Sequence, residues 1–214
     1  METISYYVII KCMKTHFYAL IPFFFVISSF SAEQIPKLAG AEIRMIPFGN
    51  VSVPVRLDTK KTALHLNSKP INCFQFSTAN PKKDNPGNQA KEPVNEQNLL
   101  KNMKVENAVF IDIKKGKLDG EILPNTNYYI VGLMWYPGEF HFVRLYKDGW
   151  FSKPSKVGSG FWVDIPPKRG SDIPLPSEGV ASQLAKRAGP RSYKFLGFFL
   201  YPNNNSFINQ LLSK

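Results

Sequence analysis

The sequence predicts an α+β fold, and three observations carry that prediction. Several short segments alternate apolar and polar residues with the period of two that a half-buried strand requires. Two other segments space their apolar residues as a helix does. Helix and strand do not alternate regularly along the chain, and no internal repeat is present, so a βαβ-built parallel sheet is not expected.

The elements follow in chain order. Residues 41–57, "AEIRMIPFGNVSVPVRL", alternate around Gly49-Asn50 and read as a β-hairpin. Residues 62–71 lead into "NCFQFSTA", where Cys73 stands at a helix start. Pro81 disfavours helix at Asn80, so that helix is short. Residues 80–98 are polar and broken by Pro81, Pro86, Gly87 and Pro93, which makes a surface loop. A helix follows near 95–104, with Leu99, Leu100 and Met103 as its apolar stripe. "NYYIVGL" (127–133) and "FHFVRLY" (140–146) form an antiparallel hairpin across the turn "YPGE". Alternation puts His141, Val143 and Leu145 on one strand face, and Phe140, Phe142, Arg144 and Tyr146 on the other. "GSGFWVDI" is a further strand, "EGVASQLAKRA" a helix ended by Gly189-Pro190, and "YKFLGFFLYP" a closing strand.

Residues 1–31 read as a secretory signal peptide, with Lys11, Lys14 and His16 before the apolar run "FYALIPFFFVISSF". Ser29 and Ser31 are suitably small for cleavage before Ala32. The run is short and contains Pro22, which argues against a membrane span, although an uncleaved anchor is the alternative. "MKTHFYALIPFFFVISSFSA" is a complete signal by itself, so Met13 is an alternative start. The expected product is exported, periplasmic or secreted. Its N-terminal strands (32–68) are continuous with a domain over 69–214.

The 214-residue chain carries a net charge of +11, and loss of residues 1–31 lowers this by one. Outside the cytoplasm such charge favours an anionic polymer or a membrane surface, or serves solubility alone. No nucleic-acid motif is present, and no nucleic acid is expected as a partner. Neither a cofactor nor a metal is expected. Cys73, His65 and His141 have no spacing that would build a zinc site. Aromatic residues make up 14% of the chain, enough for a packed core.

Cys12 lies within the leader, so Cys73 is the one cysteine left after cleavage. A lone thiol in an exported monomer is a buried apolar filler, half of an interchain disulfide, or a nucleophile. A nucleophile needs a lowered pKa, a histidine partner and access to substrate. The helix start at Cys73 and the strand-borne His141 meet the first two requirements on paper. His65 reads as a surface or packing residue.

The ordered motifs extend this. The chain has "INCFQFS" at 71–77, "LDGEILPNTNYYIVGLMW" at 118–135 and "EFHFVRLYKDGWFSKPS" at 139–155. Asp164 then precedes "RGSDIPLP", and "YKFLGFFLYP" closes the set. In order and spacing this resembles a family of bacterial proteins with a "GHNCYAYA"-like cysteine motif followed by "DYHFYRQD–DG–WSHKPG". The resemblance spans roughly residues 69–202. It implies a papain-like (NlpC/P60-like) antiparallel sheet with a helix carrying the cysteine. Cys73 would be the nucleophile and His141 its base, within hydrogen-bond reach. Ser152 stands where the family has a histidine and would be the third member, although a serine orients imidazole only weakly. Asp164 would take that role if its strand lay beside that of His141. Asn72, Arg144 and Trp150 match motif positions, and Gln75 is a conceivable oxyanion donor.

Two functions follow as expectations. One is a thiol hydrolase cleaving an amide in peptidoglycan or protein. The other is a catalytically degenerate papain-like domain that binds an anionic cell-surface polymer or a protein partner; the serine at 152 and the basic charge point that way.

Overall fold

A computed structural model describes residues 40–68, 70–80, 85–88, 94–153, 162–166, 173–187 and 193–203. The leader at 1–31 and residues 81–84 and 89–93 of the 80–98 loop lie outside the described residues. Among the described residues, no helix is long and apolar enough to cross a membrane.

The fold is mixed α+β. One sheet runs in the order β4 (Lys117–Asp119), β3 (Val109–Asp112), β9 (Lys194–Pro202), β5 (Tyr128–Tyr136), β6 (Glu139–Tyr146), β7 (Gly149–Ser152) and β8 (Trp162–Ile165). These neighbours are antiparallel throughout. The hairpin β1 (Glu42–Phe48) and β2 (Val51–Leu57) joins by one parallel bridge, Val55 to Tyr128. The 41–57 hairpin, the 127–146 hairpin, the strand at Trp162–Ile165 and the closing strand therefore form as the alternation predicts.

Gly138, at φ +81, turns the β5–β6 hairpin, and Gly49, at φ +60, turns β1–β2. The closing strand β9 inserts beside β5, so β5 is covered on both sides and its first seven residues are buried. That explains its nearly unbroken apolar sequence, because a central strand has no solvent face to serve.

Strand pleating divides the core in two. One cluster takes Met134 of β5, Val143 and Leu145 of β6, Trp150 of β7 and Leu200 of β9. It is covered by the β1–β2 hairpin, through Ile46, Val53 and Val55, and by α4 (Glu178–Arg187), through Val180 and Leu184. The other cluster takes Tyr129, Val131 and Leu133 of β5, with Phe142 of β6. It is covered by α2 (Cys73–Thr78) and α3 (Glu96–Val105), through Phe74, Leu99 and Met103. Helix α1 (Lys60–Asn67) is an element the sequence reading passed over; it packs Ala63 and Leu66 near Phe76, Tyr146 and Phe151.

Candidate functional site

Helix α2 begins where its sequence directs. The Asn72 side chain accepts the Gln75 N–H at 2.9 Å, and Gln75 Oε1 accepts the Asn72 N–H at 2.8 Å. This reciprocal capping box satisfies two donors that a helix start leaves open. It gives Asn72 and Gln75 structural roles at the helix start, with the buried Gln75 side chain held through its carbonyl oxygen. Ala79, in left-handed conformation at φ +52, ends the helix after six residues, just ahead of Asn80-Pro81.

Cys73 is the first residue of this helix and is buried. Its thiol donates to the Phe140 carbonyl at 3.9 Å. Burial raises the thiol to about 11, against backbone N–H groups of Phe142, Phe74 and Cys73 that favour the thiolate. Loss of water around a small anion outweighs a few backbone dipoles. The helix-start position that predicted an activated thiol is present, and its effect is overridden.

His141 sits in β6 between the two residues whose backbone meets the thiol, but its side chain takes the other face. Its cross-strand partner Met134 belongs to the cluster under the β1–β2 hairpin and α4. The imidazole stacks near Tyr193, 6.1 Å between ring centres, and Tyr193 packs on that same cluster. Phe142, the next residue, points to the α2 face and meets Phe74 at 5.1 Å between rings. Cys73 and His141 therefore occupy opposite faces of the sheet, and the expected hydrogen-bonded pair is corrected. The alternation placing His141 with Val143 and Leu145 holds; the expectation failed because α2 covers the opposite face. Burial also pushes the imidazole down to about 4. A thiolate–imidazolium pair needs both shifts reversed.

Ser152 pairs in register with Val143 and so shares the face of His141, one strand over. It is fully buried, and its hydroxyl makes no hydrogen bond among the described residues. Asp164 lies in β8, which pairs with β7. The strand β7 thus stands between Asp164 and β6, and the condition on which Asp164 would orient His141 is not met. Trp150 is a core residue whose indole N–H donates to the Pro174 carbonyl at 2.7 Å. His65 is exposed on α1.

Arg144 acquires a clear role. Its guanidinium is wholly buried between the rings of Tyr129 and Tyr146, 3.5 and 4.5 Å from their centres. It is hydrogen-bonded and ion-paired to Asp58, which is also wholly buried. Arg56 binds the other Asp58 oxygen at 2.9 Å. The Asp58 carbonyl accepts the Lys147 N–H at 2.8 Å, tying the end of β2 to the end of β6. Among the described residues, Arg144 Nε and Nη1 and both tyrosine hydroxyls make no hydrogen bond. Two cation–π contacts act on the same guanidinium. Sequence reasoning missed Asp58. The available signal was Arg144 itself, since a cation between aromatic strand residues demands a buried carboxylate.

Among the described residues no cluster of His, Cys, Asp and Glu is arranged to hold a metal. Compared with protein-family models, curated proteins and solved structures, the chain matches none.

Proposed function

We propose that this chain is an exported, catalytically silent domain of papain-like plan that binds an anionic partner at a cell surface. The papain-like part rests on the ordered motifs, together with a cysteine-bearing helix packed on an antiparallel sheet beside a histidine strand. The observation that carries the silence is the position of Cys73. Its thiol is enclosed, protonated and bonded to the Phe140 carbonyl, while His141 faces away from it. A buried thiol in that state presents no thiolate to a carbonyl carbon. Binding is supported by the strongly basic chain, at a net charge of +11.

Iodoacetamide labelling between pH 5 and 9 tests this. At pH near 7.4 a thiol at about 11 is thiolate in only a few molecules per ten thousand, against several per cent for a free cysteine near 8.5. Native Cys73 should therefore label at least about a hundredfold more slowly than the urea-unfolded chain. His141→Ala should not slow it further. Rapid labelling at neutral pH that depends on His141 would restore the hydrolase reading.

A further inference from the structure

Part of the basic charge is clustered at one turn. The turn joining β3 to β4 is "DIKKGKL", with Lys114, Lys115, Gly116 and Lys117 all exposed. Asp112 is the acid at this turn; it pairs with Lys115 at 3.4 Å and accepts the backbone N–H groups of Lys114 and Lys115. Lys114 and Lys117 make no ion pair among the described residues.

A second hairpin tip meets this one. A Cβ on Gly49 would lie 3.0 Å from the Gly116 carbonyl oxygen, so the β1–β2 and β3–β4 turns abut. The β1–β2 tip carries exposed apolar side chains beside the exposed polar Asn50 and Ser52. Val51 is 47% exposed, its cross-strand partner Phe48 is half-buried, and Pro47 is exposed. Below the lysines, β9 runs on past the end of β3 and leaves an open groove of about 170 Å³. Phe110, Ile113, Phe195 and Leu196 supply its apolar walls, and Lys114 stands on its rim.

Exposed lysines on one turn, beside an exposed apolar side chain on the abutting turn, match one kind of surface in particular. A soluble polyanion needs the cations and gains nothing from Val51 or the groove. A bilayer with anionic headgroups uses both, because the cations meet phosphates while the exposed apolar side chain enters the headgroup layer.

We propose that the joined β1–β2 and β3–β4 tips form a docking surface for an anionic phospholipid bilayer. This deepens the binding function proposed above, on which it rests for the expectation of an anionic partner. Lys114, Lys115 and Lys117 supply charge attraction, and Val51 supplies the contact that enters the interface.

Vesicle co-sedimentation of the exported form of the chain tests it, using phosphatidylcholine vesicles with and without phosphatidylglycerol, and soluble polyphosphate as competitor. The chain should bind vesicles only when phosphatidylglycerol is present, and added salt should weaken the binding. The variant K114Q/K115Q/K117Q should bind on the order of a hundredfold more weakly, since each lysine near an anionic surface contributes roughly fivefold. Val51→Gln should weaken vesicle binding and leave polyphosphate binding unchanged. All four positions are exposed, and an unchanged circular dichroism spectrum and melting temperature establish that the variants fold. Vesicle binding that ignores both variants overturns the proposal. Binding to polyphosphate without binding to vesicles overturns it too, while sparing the anionic-partner function. Absence of binding to either overturns both.

Discussion

Asp58→Asn is the most informative single change in this core. It keeps the volume of the side chain and removes its charge, leaving two guanidinium groups facing a neutral amide. Arg144 is wholly buried, and the Arg56 side chain is 8% exposed. Neither cation can shed its proton, because arginine stays protonated in proteins. Arg56 has some path to water, whereas Arg144, held between Tyr129 and Tyr146, has none. Leaving one buried charge uncompensated costs about 3–5 kcal/mol. Set against a typical domain stability of about 5–15 kcal/mol, that is about a fifth of the whole at the least. In a domain of this size it lowers the melting temperature by roughly 6–20 °C. Arg144→Met should cost less than Asp58→Asn, because Asp58 keeps Arg56 and the desolvation of Arg144 is relieved. The double variant Asp58→Asn/Arg144→Met should therefore be more stable than Asp58→Asn alone. Urea denaturation at constant m-value measures all three. A cost below about 1 kcal/mol for Asp58→Asn, or strictly additive effects in the double variant, refutes the reasoning.

Two more predictions concern the same sheet. Burial depresses His141 to about 4 in the folded chain, against an ordinary value near 6.5. As pH falls from 6.5 toward 4 the unfolded imidazole takes up a proton that the folded one refuses, so stability falls by up to roughly 3 kcal/mol. His141→Gln should flatten that part of the stability–pH curve, and an unchanged slope would assign the acid sensitivity elsewhere. Gly149, at φ +115, begins β7, and a Cβ there would lie against the Ile165 carbonyl oxygen of β8. Gly149→Ala should destabilise the domain by at least about 2 kcal/mol, measurable by thermal unfolding. An alanine variant as stable as the parent would mean that β8 does not close on β7 in this way.

What the sequence determined by itself is local. The "YPGE" and Gly49-Asn50 turns carried the hairpins, and alternation assigned the side chains of residues 140–146 to their faces. Asn72 and Gln75 bracket a helix start, and Asn80-Pro81 stops that helix; all of this is written within a few residues of where it acts. Function turned on matters that period and capping leave open. Alternation says that Phe142 and His141 point to opposite faces; it does not say which face α2 will cover. That choice depends on how the segment between β2 and β5 crosses the sheet, and it separated Cys73 from His141. Strand order is equally non-local: β7 stands between β6 and β8, and this removed Asp164 from the candidate site. The partner of Arg144 lies 86 residues away in sequence, so only the folded chain could select Asp58. Burial decided the chemistry. A cysteine at a helix start has a lowered pKa when water reaches it, and a raised one when a packed core encloses it. The residue and its helix are in the sequence, but the solvent around the thiol exists only once α2, β5 and β6 have closed upon one another.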